Sequence, residues 1–113
     1  MQYLLLIYDN EAQSGTRDRN AMMTEYRTFT QSIVQGGQFK AGDALQPTAT
    51  ATTVRVRDGK ALTTDGPFAE TREQLGGYYL IEAKNLDEAI GIAARVPSAK
   101  FGSIEVRPVM VYG

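Results

Sequence analysis

Tyr3-Leu4-Leu5-Leu6-Ile7-Tyr8, residues 3–8, is apolar or aromatic at every position. A strand with one wet face alternates apolar and polar residues, so a run without alternation implies burial on both sides. A similar opening recurs at Tyr78-Tyr79-Leu80-Ile81. Two such strands in one short chain set the frame into which the remaining elements must fit.

Outward from the first strand, taken as residues 2–8, a polar and charged gap runs to about residue 16. A helix follows, in which Met22, Tyr26, Phe29 and Ile33 form one stripe with Met23, Thr30 and Val34 beside it. Gly36-Gly37 closes that helix. A strand from Phe39 to Leu45 is broken at Pro47. Thr53-Val54-Arg55-Val56-Arg57 alternates as a half-exposed strand does, and Asp58-Gly59 is a strong hairpin signal. Residues 60–64 therefore return antiparallel to it.

The next strand is Gly77–Ala83. Asn85 caps a second helix, with Glu88 placed for an approximate capping box. Leu86, Ala89, Ile90, Ala93 and Val96 are its expected buried face, and Pro97 stops it. A last strand is expected from Ser103 to Tyr112. Ile104, Val106, Met110 and Tyr112 would share one face, with Glu105, Arg107, Val109 and Val111 on the other. The whole chain, residues 1–113, reads as one α+β domain. Its pattern is a ferredoxin-like β-α-β-β-α-β sandwich with an inserted β-hairpin.

Two helices cover only one face of a four-stranded sheet, so the doubly apolar first strand needs a second cover. For a single chain the simplest cover is another copy, packed sheet to sheet as a barrel-like homodimer.

Composition narrows the chemistry. The 113-residue chain has no cysteine and no histidine, which removes thiolate nucleophiles, imidazole bases and the commonest metal ligands. Any proton transfer must use Asp, Glu, Tyr, Lys, Arg or backbone. Any protein-held metal would be a hard cation on oxygen ligands; no metal site and no cofactor is assigned. Net charge is −1, with Lys and Arg scattered, so no nucleic-acid partner is expected. Leu4-Leu5-Leu6-Ile7 is too short for a secretory leader, and no stretch approaches a membrane span. A cytoplasmic location is the expectation.

The segment Asp65-Gly66-Pro67-Phe68-Ala69-Glu70-Thr71-Arg72-Glu73 is longer and more charged than most connections in compact domains. A pocket beside it is therefore expected. Asp65 is the first candidate to move a proton, or else its carboxylate only closes an Asx-turn. Asp43, an acid among small residues in a strand, is the second. Glu70 and Glu73 flank Arg72, either as ligand contacts or as a solvated surface. Arg107 shares a strand face with Glu105, as an anion clamp or a structural pair. Phe68, Tyr78, Tyr79 and Tyr8 line the pocket or belong to the core.

The Asp65–Glu73 segment, followed by Gly76-Gly77-Tyr78-Tyr79-Leu80-Ile81-Glu82, closely resembles the signature of the DGPF group of the YCII-related family. Met1-Gln2-Tyr3-Leu4-Leu5-Leu6-Ile7-Tyr8, Leu86-Asp87-Glu88-Ala89 and Gly102-Ser103-Ile104-Glu105-Val106-Arg107-Pro108 support the resemblance. It implies a dimeric α+β barrel built from ferredoxin-like subunits. Some relatives are linked to lyase or dehalogenase-type chemistry on small unsaturated acids, through a His–Asp pair that a chain without histidine does not have. The expected function is thus a small-molecule-binding homodimer, with a lyase or isomerase acting on a small organic acid as its enzymatic form. Asp65 or Asp43 would move the proton. Phe68, Glu70, Arg72, Glu73, Tyr78 and Arg107 would bind, with Arg107 or Arg72 holding the acid. Members of the group are often encoded beside alternative sigma factors. The alternative is therefore a non-catalytic sensor or accessory module in transcriptional regulation.

Overall fold

The computed structural model describes residues 1–112. Its elements are β1 (Gln2–Asp9), α1 (Glu11–Ser14), α2 (Arg19–Gln35), β2 (Phe39–Ala44), β3 (Thr52–Arg57), β4 (Lys60–Asp65), β5 (Gln74–Glu82), α3 (Leu86–Arg95) and β6 (Ser103–Pro108). Four strands form an antiparallel sheet in the order β2-β5-β1-β6, and β3 and β4 form a separate two-stranded sheet. This is a mixed α+β architecture compatible with a ferredoxin-like fold, with the extra hairpin between β2 and β5.

Local chemistry sets the element boundaries. The Asp18 side chain accepts hydrogen bonds from the Asn20 and Ala21 N–H groups and starts α2. Asn85 Oδ1 accepts from the Glu88 N–H at 2.9 Å, and Asp87 and Glu88 suit the positive end of α3. At the tip of the β3–β4 hairpin, Asp58 and Gly59 both have positive φ (52° and 75°). A tight hairpin turn asks for this geometry, and Gly adopts it at no steric cost.

The pleat sorts β1 into two apolar rows. Tyr3, Leu5 and Ile7 are buried and join Tyr79 and Ile81 of β5 against Phe29 and Ile33 of α2 and Ala89, Ile92 and Ala93 of α3. Leu5, Ile33 and Ile81 are fully buried, each stabilising the fold by roughly 1.5–3 kcal/mol. Leu4, Leu6 and Tyr8 take the opposite face together with Tyr78 and Leu80. α2 and α3 both pack on the first face, so this second row is only half-buried.

Three expectations need correction. The polar gap after β1 contains the short helix α1, capped by Asn10, whose side chain accepts from the Gln13 N–H. On α3 it is Ile92 that is buried, while Leu86 and Ile90 are each 49 % exposed. The last strand stops at Pro108, not Tyr112. Pro108 lies opposite Tyr3, and after one further bond from the Val109 N–H to the Gln2 carbonyl, β1 has no residue left to pair. Met110, Val111 and Tyr112 are consequently exposed.

The chain is flat, 47 × 45 × 19 Å, with a Cα radius of gyration of 15.9 Å. A compact chain of this length would have roughly 13 Å. The β3–β4 arm contributes to the excess: every residue of β4 is exposed, as are Val54 and Val56. Among the described residues no helix is long and apolar enough to cross a membrane.

Candidate functional site

A cavity of about 420 Å³ opens where α2 crosses the β2–β5 edge of the sheet. Tyr26 and Thr30 of α2, Phe39 of β2 and Tyr79 of β5 form its walls, while Glu11 and the Leu45–Pro47 turn stand at its rim. A shallower hollow along α2, lined by Met23, Arg27 and Val34, backs onto Tyr26 and Thr30.

The walls are fixed by paired hydroxyls. Tyr26 Oη lies 2.6 Å from Ser98 Oγ, and Thr30 Oγ1 lies 2.7 Å from Tyr79 Oη. The Tyr79 ring also meets Phe29 and Phe39 edge to face, with centroids 5.3 and 6.3 Å away. Gly42 makes room for that ring: a Cβ there would sit 2.6 Å from Tyr79 Cδ1. Burial raises the Tyr26 and Tyr79 phenols above their ordinary value, outweighing the hydrogen bonds from Ser98 and Thr30 that lower them. At neutral pH both are therefore protonated and serve as neutral hydrogen-bond partners.

Two carboxylates close the rim. Asp9 pairs with Arg17 at 2.5 Å, both largely buried, and Arg17 lies 3.9 Å over the Phe101 ring. Glu11 accepts from the Thr48 N–H and Oγ1, each at 2.9 Å, tying α1 to the loop after β2. Gln74 Oε1 accepts from the Glu11 N–H, which brings β5 into the same network.

Of the residues singled out in the sequence, Tyr79 forms a wall of the cavity and Asp43 and Tyr78 border it; Tyr78 Oη donates to Asp43 Oδ2 at 2.7 Å. Strand alternation turns these two side chains to the sheet's uncovered face, so their main chain borders the cavity. The hydrogen bond to Asp43 and its negative charge raise the Tyr78 phenol.

The other candidates lie elsewhere. Asp65 ends β4 opposite Thr52 and is exposed, and Phe68 is 80 % exposed. Residues 66–73 form bends and no helical turn, so Glu70 and Glu73 share no helical face. Glu73 accepts from Ser103 Oγ at 2.8 Å, and the Arg72 carbonyl accepts from Asn10 Nδ2 at 3.2 Å. Arg107 pairs with Glu105 on the uncovered sheet face.

The residues that sequence reasoning left out of the site are Tyr26, Thr30, Ser98, Asp9 and Glu11. A faint signal existed in α2, where Thr30 and the Tyr26 hydroxyl place polar atoms on or beside an apolar stripe. Ser98 and Glu11 gave none, because their partners are distant in the chain. Among the described residues no group of three or more His, Cys, Asp or Glu side chains could hold a metal ion.

Comparison with known proteins defines the class. The model of the YCII-related domain matches residues 1–112, and the chain belongs to that family. It is also similar to an uncharacterised protein of Rhizobium meliloti (strain 1021), at 36 % identity over 117 aligned positions. The match covers 99 % of this chain and 94 % of the relative.

Proposed function

We propose that this protein is a cytoplasmic homodimer of the family's DGPF group that binds a small organic molecule in the cavity between α2 and the β2–β5 edge. The carrying observation is the cavity itself: about 420 Å³, aromatic-walled, with its hydroxyls fixed in pairs. That volume and that mixture of apolar wall and a few placed polar groups suit a small ligand. The Asp65–Glu73 motif supports the subgroup.

The half-buried row of Leu4, Leu6 and Leu80, flanked by Tyr8 and Tyr78, supports the homodimer. A contiguous apolar sheet face of this kind is seldom left to water, and two such faces pack about 10 Å apart. The paired Glu105 and Arg107, with Glu82 and Asp43, give that face a polar rim.

A lyase or isomerase acting on a small organic acid, as the resemblance implies, would need a cation at the cavity. Arg72 and Arg107, expected to supply it, do not line it, so binding and not acid turnover is what we propose. The exposed arm, with Val54, Val56 and Leu62 uncovered, favours a second reading: a sensor or accessory module that contacts a protein partner.

A thermal-shift screen of small organic compounds against the native chain and an Ala44→Trp variant tests the cavity. Ala44 is exposed at the cavity's edge, and an indole there obstructs entry. Ligands that raise the melting temperature of the native chain and lose that effect in Ala44→Trp support the reading, since binding stabilises the folded state by mass action. Equal shifts in both proteins would place binding elsewhere.

A further inference from the structure

We infer that the cavity selects a small protonated amine with an apolar body, in preference to a carboxylate; this rests on the cavity being the ligand site. Charge makes the first argument. Three acids, Asp9, Glu11 and Asp43, are among the lining residues and no lysine or arginine is. Arg27 lines the neighbouring hollow and no part of the cavity.

The three acids are not equivalent. Arg17 neutralises Asp9, and the Asp43 side chain is turned to the other face of the sheet. Glu11 is half-buried at the rim and receives only neutral donors, from Thr48. It makes no ion pair among the described residues. A carboxylate has lone pairs for more than two donors, so Glu11 can accept from an ammonium without releasing the loop.

The walls make the second argument. Tyr26, Phe39 and Tyr79 present aromatic surface to the same space, and aromatic faces attract a desolvated ammonium. The Tyr26 and Tyr79 phenols are neutral hydrogen-bond partners that repel neither charge. An entering carboxylate would meet Glu11 with no cation to answer it, and like charge with desolvation opposes its binding.

Three probes sharing a phenyl ring and a two-carbon chain decide: phenethylamine, phenethyl alcohol and phenylacetate, titrated into the native protein at pH 7 and followed through amide NMR shifts at Tyr26, Thr30 and Tyr79. The amine is expected to bind roughly tenfold more tightly than the alcohol, the gain from one charge-assisted hydrogen bond, and phenylacetate more weakly than either. Glu11→Gln should abolish the amine's advantage over the alcohol, while the amide shifts of the ligand-free variant at Tyr26, Thr30 and Tyr79 report that its cavity is intact. Phenylacetate binding as tightly as phenethylamine, or an undiminished amine preference in Glu11→Gln, overturns the cation selectivity and leaves the ligand site standing. Shifts from none of the three probes overturn both.

Discussion

Tyr79 Oη and Thr30 Oγ1, 2.7 Å apart, tie the second central strand of the sheet to the middle of α2 beside the cavity. One hydrogen bond thus joins the two layers where their packing is interrupted. Tyr79→Phe and Thr30→Val should each cost about 1 kcal/mol in urea denaturation. The double variant should fall short of the sum, because both substitutions remove the same bond. Strict additivity would mean that the hydroxyls do not pair in solution.

Gly42→Ala tests how closely β2 and the Tyr79 ring approach. The added methyl carbon would lie 2.6 Å from Tyr79 Cδ1, well inside van der Waals contact. Overpacking of this kind costs about 1–3 kcal/mol. The ring should also move off Phe29, visible as altered aromatic proton shifts. A variant as stable as the native chain, with an unmoved ring, would contradict the packing.

Stability should fall in alkaline solution, with a sign that follows from burial. Tyr26 and Tyr79 have phenols raised in the folded state. Above about pH 10, the ordinary tyrosine value, the unfolded chain ionises first and binds fewer protons than the folded chain. The folded state therefore loses stability as pH climbs. Melting temperatures between pH 8 and 11 should decline, and Tyr79→Phe should flatten the decline. A profile that rises over this range would contradict the assignment.

Asp43→Asn should lower the Tyr78 phenol toward its ordinary value. The substitution removes the charge that raises it and weakens the hydrogen bond to its protonated form. Ultraviolet titration of tyrosine ionisation should show one phenol ionising earlier, with little change in folding. An unchanged titration would show that the pair is not formed.

Much of the fold was legible because its signals are local. Apolar residues at every position of Tyr3–Tyr8 announced a strand with two apolar faces, and Asp58-Gly59 announced its hairpin. Asn85 marked the start of α3. The misjudged end of β6 has the opposite character: apolar residues continue through Val109–Tyr112, but the neighbouring strand does not. Whether a strand persists depends on its partner's length, which the residues concerned do not encode.

The site was less legible for the same reason. Asp43 and Tyr78 were each noticed alone, but their adjacency depends on the β2–β5 register. The cavity depends on where α2 crosses that edge and on Gly42 admitting the Tyr79 ring. The Asp65–Glu73 segment drew attention through composition, yet the chain folds it away from the cavity. Charged residues in a surface connection and charged residues at a site look alike until the long-range contacts form.

We propose that the uncovered face of β1 and β5 is buried against a second copy. Sedimentation equilibrium at tens of micromolar measures this directly. The expected mass is twice the chain's 12.4 kDa, falling to the single-chain value in Leu80→Lys, which sets a charge at the centre of that face. A native protein that sediments at 12.4 kDa throughout this range would rule out this assembly.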